Sequence, residues 1–112
     1  MDKEIMKGSI DILLLSLLAK KDMYGYEIVK TLKKNSSEHY NMSEGTLYPA
    51  LKRLEKKGWI SFYWESSDLG GRRKYYQIMD DGKKELSRKL RDWQKVSELI
   101  KVSSEGLTWI NA

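Results

Sequence analysis

Apolar residues recur at helical spacing in four stretches of the chain and alternate strand-like in two more between the third and fourth. In residues 4–20, Ile10, Leu13, Leu14, Leu17 and Leu18 form a stripe that Ile12 and Leu15 widen nearly around the helix. This segment is predicted to be buried on more than one side, within its own core or against a second subunit. A second helix, about 24–34, turns Ile28 and Leu32 inward and ends in Lys30, Lys33 and Lys34, whose charges complement the helix dipole without any ligand. A polar connection over 35–42 follows. The third helix places Leu47, Ala50, Leu51 and Leu54 at i, i+3, i+4 and i+7, the stripe of a helix buried on one side. Gly58 stops it, with Lys56 and Lys57 in the last turn. Pro49 conflicts with this helix. With Ser43 as the cap it removes a hydrogen bond to Gly45; with Thr46 as the cap it falls in the first turn, where its missing N–H is an orphan anyway.

Residues 59–65, WISFYWE, set Ile60, Phe62 and Trp64 against Ser61, Tyr63 and Glu65, the period of a half-buried strand. SSDLGG (66–71) supplies a turn and RRKYYQI (72–78) returns, which predicts one β-hairpin. The last long segment opens on Asp80-Asp81, acidic residues suited to a helix N-terminus. It carries Leu86, Leu90, Trp93, Val96 and Ile100 at steps of four and three. Flanked by charge, so narrow a seam predicts pairing with another helix, as in a dimer. From 103 onward the chain breaks at Gly106 and offers Leu107, Trp109 and Ile110, which either pack back or stay free.

Three helices, a hairpin and a further helix make a mainly α (α+β) protein in the order of a winged helix-turn-helix, with a two-stranded β-wing and a C-terminal dimerisation helix. The expected division is a DNA-binding domain over 1–79 and a dimerisation helix with its tail over 80–112. At 112 residues the chain builds one small core, and association would stabilise it further. The net charge of +5 and pI near 9.3 suit a polyanionic partner. The absence of cysteine excludes disulfides and thiolate metal sites, and one histidine, His39, does not make a zinc site. A lone loop histidine is more often solvated than functional, and His39 is assigned no role. Neither a metal nor a cofactor is expected. The mixed charge of Asp2, Lys3 and Glu4 does not resemble a cleaved signal, and the run over 10–19 is interrupted by Asp11 and Ser16 and too short for a bilayer. A cytoplasmic protein is expected. No Ser-His-Asp, Cys-His, phosphate-loop or paired-carboxylate arrangement is present to suggest an enzyme.

The outward side of the third helix carries Gly45, Pro49, Lys52 and Lys56, flanked by Tyr48 and Arg53. Long cations, a ring with a hydroxyl, and a glycine open to another backbone are what a major-groove reader needs. Thr46, Tyr48, Lys52 and Arg53 are expected at base edges or nearby phosphates, Lys56 at a phosphate near the helix end, and Ser43 at the helix entry. Arg72, Arg73 and Lys74 stand beside Gly70 and Gly71 and are expected to follow phosphates of double-stranded DNA without a fixed rotamer, adding affinity more than sequence choice. Alone, such a charge run is as often a solvated surface; the basic helix before it shifts the balance. Tyr24 and Tyr26 flank Gly25 at a helix start, where hydroxyls and backbone N–H groups bind phosphate, although paired tyrosines also serve as core-rim residues.

Three motifs in order, MYGYEI (23–28), SEGTLYPALKRLEKKGWI (43–60) and GGRRKYYQI (70–78) leading into DDG, resemble those of the PadR-like transcriptional regulators over roughly 10–82. The resemblance implies a bacterial homodimeric winged-helix regulator, usually a repressor, that binds a palindromic operator and is often released by a small molecule. The single short C-terminal helix looks like the compact branch of the family. Where the family usually places Thr after the strand-ending apolar residue, this chain has Met79-Asp80, which alters the cap of the last helix. Trp93 looks like the position at which multidrug-binding members stack a planar aromatic compound between two subunits. Ile5, Gly8 and Ile12, with Val96, Ser97 and Ile100, are its neighbours by helical spacing. An apolar stripe is more often packing than a ligand site, so burial of Trp93 in a dimer seam competes with that role. Two further readings come from other classes: a winged-helix protein-interaction module, since a fold does not fix a function, and a ligand-sequestering protein on the same dimer. Clustering of Lys52, Arg53, Lys56, Arg72, Arg73 and Lys74 on one surface would separate DNA binding from the first of these.

Overall fold

The computed structural model describes residues 1–110. Eight elements follow one another: α1 (Lys3–Lys7), α2 (Ile10–Lys20), β1 (Met23–Tyr24), α3 (Gly25–Asn35), α4 (Glu44–Lys56), β2 (Ile60–Ser66), β3 (Arg72–Ile78) and α5 (Asp80–Ser104). The predicted winged helix-turn-helix is present, with α3 and α4 as its helix pair and β2–β3 as its wing.

The single helix expected over 4–20 is two. The Asp2 carboxylate accepts hydrogen bonds from the backbone N–H of Glu4 (2.8 Å) and Ile5 (3.4 Å) and starts α1. Gly8, the poorest non-proline helix former, then ends it, and α2 restarts after Ser9, which provides no side-chain cap. Helix α2 is the centre of the core. Leu14, Leu15, Leu17 and Leu18 are buried against Ile28 and Leu32 of α3, Leu47, Leu51 and Leu54 of α4, Ile60 and Tyr76 of the sheet, and Leu86 of α5. Leu86, assigned from the sequence to the dimer seam, is thus 8% exposed within its own chain.

Ser43 caps α4: its Oγ accepts from the Thr46 N–H at 3.2 Å. Pro49 therefore lies inside the helix and leaves the Gly45 carbonyl without its amide donor. Both residues are exposed.

The hairpin pairs Ile60 with Ile78, Phe62 with Tyr76, Trp64 with Lys74 and Ser66 with Arg72 on one face, and Tyr63 with Tyr75 and Glu65 with Arg73 on the other. A third strand that no sequence pattern announced, β1, pairs Met23 with Tyr76 and Tyr24 with Tyr75, giving the antiparallel order β1-β3-β2. The alternation assigned to β2 holds for Ile60 but not beyond it. Phe62 and Trp64 are 38% and 50% exposed, because the hairpin runs past the edge of the core, whereas Tyr63 is half-buried under Tyr75.

Helix α5 starts without a side-chain cap at Met79, but Met79 N–H donates to the Trp59 carbonyl at 2.9 Å. Buried Gly82 lies against that carbonyl, where a Cβ would overlap its oxygen and stand 2.9 Å from Ile78 Cγ1. The 25 residues of α5 span roughly 37 Å, and the radius of gyration, 16.4 Å, exceeds the roughly 13 Å of a compact chain this long. The helix projects from the body. It continues through Ser104, so the tail begins later than 103, and Leu107, Trp109 and Ile110 are exposed and do not pack back. The last two residues of the expected 80–112 segment lie outside the described residues. Among the described residues no helix is long and apolar enough to cross a membrane.

Candidate nucleic-acid interface

Because Leu47, Ala50, Leu51 and Leu54 turn into the core, α4 presents Gly45, Tyr48, Pro49, Lys52, Arg53 and Lys56 outward, all of them exposed. Lys52 and Lys56 have no ion-pair partner among the described residues. Arg53 differs: its guanidinium is held by the Asp11 carboxylate of α2. Thr46 is half-buried and its Oγ1 lies 3.2 Å from the Ser43 hydroxyl, so part of its capacity serves the cap.

Tyr48 is 45% exposed and its phenol rests on Gly25 at the start of α3. A Cβ at position 25 would stand 3.0 Å from Tyr48 Cζ and 3.3 Å from Cε1. Glycine there permits the close approach of the two helices of the helix-turn-helix. Tyr48 also neighbours the sheet: burial first, then the proximity of Tyr48 and Glu55, pushes the Tyr76 phenol above its ordinary value. Tyr76 and Ile60 share the core with Leu47, Leu51 and Leu54 of α4, and Arg72 and Lys74 continue the same strand face outward.

Each of the three wing cations lies over an aromatic ring. Arg72 Cζ is 5.0 Å from the Trp64 ring centroid, Lys74 Nζ 3.9 Å from Phe62, and Arg73 Cζ 4.4 Å from Tyr24. Contacts of this length at a surface are modestly attractive. Strand alternation splits the run, with Arg72 and Lys74 on one face and Arg73 on the other. Gly70 and Gly71 form the turn at φ +89° and +76°, values that disfavour any side chain.

Tyr24 and Tyr26, paired in the sequence reading, have separate surroundings. Tyr24 is half-buried, edge-on to Tyr75 at 5.5 Å. Tyr26 is 65% exposed, with Lys30 Nζ 5.5 Å from its ring. Behind Tyr24, Tyr75 stacks on Tyr63, whose hydroxyl donates to Asp22 Oδ2 at 2.7 Å. That hydrogen bond to a carboxylate raises the Tyr63 phenol to about 12. The sequence reading gave Asp22 and Tyr75 no part in the site, and it named Gly25 and Tyr63 only for their places at a helix start and in a strand. Only the abundance of tyrosine near the wing hinted at them, because their roles depend on strand pairing between distant segments.

On α5, Leu90, Trp93, Val96 and Ile100 are 39%, 51%, 54% and 62% exposed, an apolar strip without a partner among the described residues. Of the residues expected around a ligand at Trp93, Ile5 and Gly8 are exposed and Ile12 and Ser97 half-buried. A cleft of about 730 Å³ opens elsewhere, between α1, the 40–43 connection and α4, over Ile10, Met42 and Ala50, and none of the six proposed ligand residues lines it.

The family model of the Transcriptional regulator PadR-like family matches residues 14–88, which include α3, α4 and the whole wing. A protein of Lysinibacillus sphaericus without assigned function is 39% identical over 93% of this chain and 95% of its own length. The Negative transcriptional regulator PadR of Bacillus subtilis is 31% identical over 79% of this chain, which spans about half (48%) of that longer protein. Among solved structures, a transcriptional regulator from Clostridium thermocellum superposes with a TM-score of 0.82 at 37% identity, covering 88% of this chain and 96% of that one. A PadR-like transcriptional regulator from Bacillus cereus does so at 0.81 and 32%, covering 93% and 99%. With the matched region coinciding with the helix pair and wing just described, the chain belongs to the PadR-like family of DNA-binding transcriptional regulators, which are not enzymes.

Proposed function

We propose that this protein is a homodimeric repressor that binds a palindromic operator through α4 and the wing and is released by a small planar aromatic compound at Trp93. Residues 1–79 form its DNA-binding part and 80–112 its dimerisation part. The observation that carries DNA recognition is the outward face of α4: Lys52 and Lys56, without an ion-pair partner among the described residues, beside Tyr48, Pro49 and Gly45. Tyr48 and Lys52 contact base edges, Lys56 and the wing cations contact phosphates, and Thr46 and Ser43 sit at the entry of the helix. Arg53 is tethered to Asp11 through one guanidinium nitrogen, and its remaining N–H donors are the ones offered to DNA. Tyr26, exposed on the first turn of α3, is a phosphate candidate.

The unpartnered strip from Leu90 to Ile100 supports the dimer, because exposing that much apolar surface on a projecting helix is unfavourable in water. Two copies related by a two-fold axis match a palindrome with two half-sites. Repression is supported by the likeness to the Bacillus subtilis relative, a negative transcriptional regulator. Trp93, half-exposed in one chain and flanked by Val96 and Ser97, is the surface on which a flat ring would stack once a second chain closes the other side.

The test is titration of the duplex upstream of the protein's own gene against a scrambled duplex of equal length, at two salt concentrations. Selective binding with a steep salt dependence is expected. Equal binding to both duplexes removes the operator proposal, and no binding to either favours a protein-interaction module. Addition of a planar hydrophobic dye is expected to quench tryptophan fluorescence in the wild type and not in Trp93→Ala; identical responses remove the ligand site.

A further inference from the structure

We infer that Tyr24 is a positioning residue for Arg73: β1 brings its ring beside the wing, the ring holds the guanidinium in place, and the phenolic hydroxyl is not what serves DNA binding. This rests on the phosphate role proposed for Arg73.

Strand β1 is only two residues long, and its register sets Tyr24 opposite Tyr75. Arg73 lies two residues before Tyr75 on the same face, so it is the diagonal neighbour of Tyr24, within reach of a long side chain. The guanidinium carbon accordingly stands 4.4 Å from the Tyr24 ring centroid. Glu65, directly across the ladder from Arg73, is not within ion-pair distance of it. The ring, rather than a carboxylate, locates the charge.

Tyr24 is itself fixed from behind. Its ring meets Tyr75 edge-on at 72°, Tyr75 stacks on Tyr63 at 5.8 Å and 12°, and the Tyr63 hydroxyl returns to Asp22, two residues before Tyr24. The chain of contacts therefore closes on the loop from which it started, clamping that loop to the hairpin. A guanidinium held over a ring by the attraction of its charge to the π face spends no N–H···O hydrogen bond on the contact, so its donors are left for phosphate oxygens. Arginine also carries much rotamer freedom, and one already held over a ring has lost part of it before DNA arrives. Tyr26 is the contrast: it lies on the first turn of α3, with none of these supports and with Lys30 beside it.

Binding of a labelled random-sequence duplex at low salt is measured for wild type, Tyr24→Phe, Tyr24→Leu, Arg73→Ala and the Tyr24→Leu/Arg73→Ala double variant. Tyr24→Phe, which keeps the ring, is expected to bind as wild type. Tyr24→Leu is expected to lose about two- to fivefold, and to lose nothing further once Arg73 is alanine. In the free protein, the Arg73 side-chain N–H resonance is expected upfield, shifted by the ring, in wild type and Tyr24→Phe, and at its ordinary position in Tyr24→Leu. A Tyr24→Phe protein as weak as Tyr24→Leu, or equal losses from Tyr24→Leu with and without Arg73, overturns the positioning role while leaving the phosphate role of Arg73 standing. Arg73→Ala binding as tightly as wild type overturns that phosphate role, and the Arg73 resonance then shows whether the ring holds the guanidinium at all.

Discussion

Replacing Gly82 with alanine adds one methyl group where α5 crosses the turn after α4. The new Cβ would overlap the Trp59 carbonyl oxygen and stand 2.9 Å from both the Trp59 carbonyl carbon and Ile78 Cγ1, against an optimum of about 3.5–4.0 Å for non-bonded carbon atoms. Two of these three neighbours are backbone atoms, so rotating a side chain does not relieve the overlap. Overpacking of this kind costs about 1–3 kcal/mol, and a clash with backbone belongs in the upper half of that range. The same carbonyl accepts the Met79 N–H at 2.9 Å, so displacing it strains a hydrogen bond worth about 1 kcal/mol. Alanine's better helix propensity offsets about 1 kcal/mol. The net expectation is a loss of about 2–3 kcal/mol, or a Tm lowered by roughly 10 °C or more. Urea unfolding followed by far-ultraviolet circular dichroism, at fixed protomer concentration because association adds to apparent stability, measures it. A midpoint equal to or above that of wild type would refute the docking of α5 on Trp59.

Gly45→Ala is the counterpart: a Cβ there meets nothing closer than Ser43 Oγ at 3.8 Å, so the helix gains about 0.5–1 kcal/mol in the same urea assay. If Gly45 lets DNA backbone or bases approach α4, the stabilised variant binds DNA more weakly, and undiminished binding would remove Gly45 from the interface. Leu86→Asp is expected to lose helical signal, since it puts a charge into a site 8% exposed; Leu90→Asp, at a site 39% exposed, is expected to keep that signal while sedimentation shows weakened self-association. Retention of the dimer in a folded Leu90→Asp protein would move the interface away from α5. The Tyr63 phenolate is expected to appear at about 12 in an ultraviolet titration, and Asp22→Asn to bring it back toward the ordinary 10. Because the folded pKa is raised, the Asp22–Tyr63 contact stabilises fully below pH 10 and its contribution fades between about 10 and 12, where the unfolded chain releases its proton first. An unshifted Tyr63 would mean that the hydrogen bond is absent.

What the sequence determined by itself was whatever depends on neighbours within a turn or two. The spacing of Leu47, Ala50, Leu51 and Leu54 placed the buried side of α4 and therefore its cationic side, and the paired glycines before Arg72 located the wing's turn. Periodicity also marked α5, but could not say where burial within the chain stops: Leu86 and Leu90 occupy the same stripe, and only the packing of α2 against the start of α5 covers the first and leaves the second exposed. Gly8 was legible as a residue, yet a long apolar stripe outweighed it, and the break between α1 and α2 was missed. The remaining features belong to the tertiary structure because they join residues with no local relation. Strand β1 has two residues and no period, so nothing in Met23-Tyr24 announced its pairing with β3. That pairing is what brings Tyr24 to Arg73 and Asp22 to Tyr63, just as the packing of α4 on α3 is what makes Gly25 necessary beneath Tyr48. Helical and strand periods report which side of an element is apolar; which distant side chain then lies over which ring is decided only when the elements are packed.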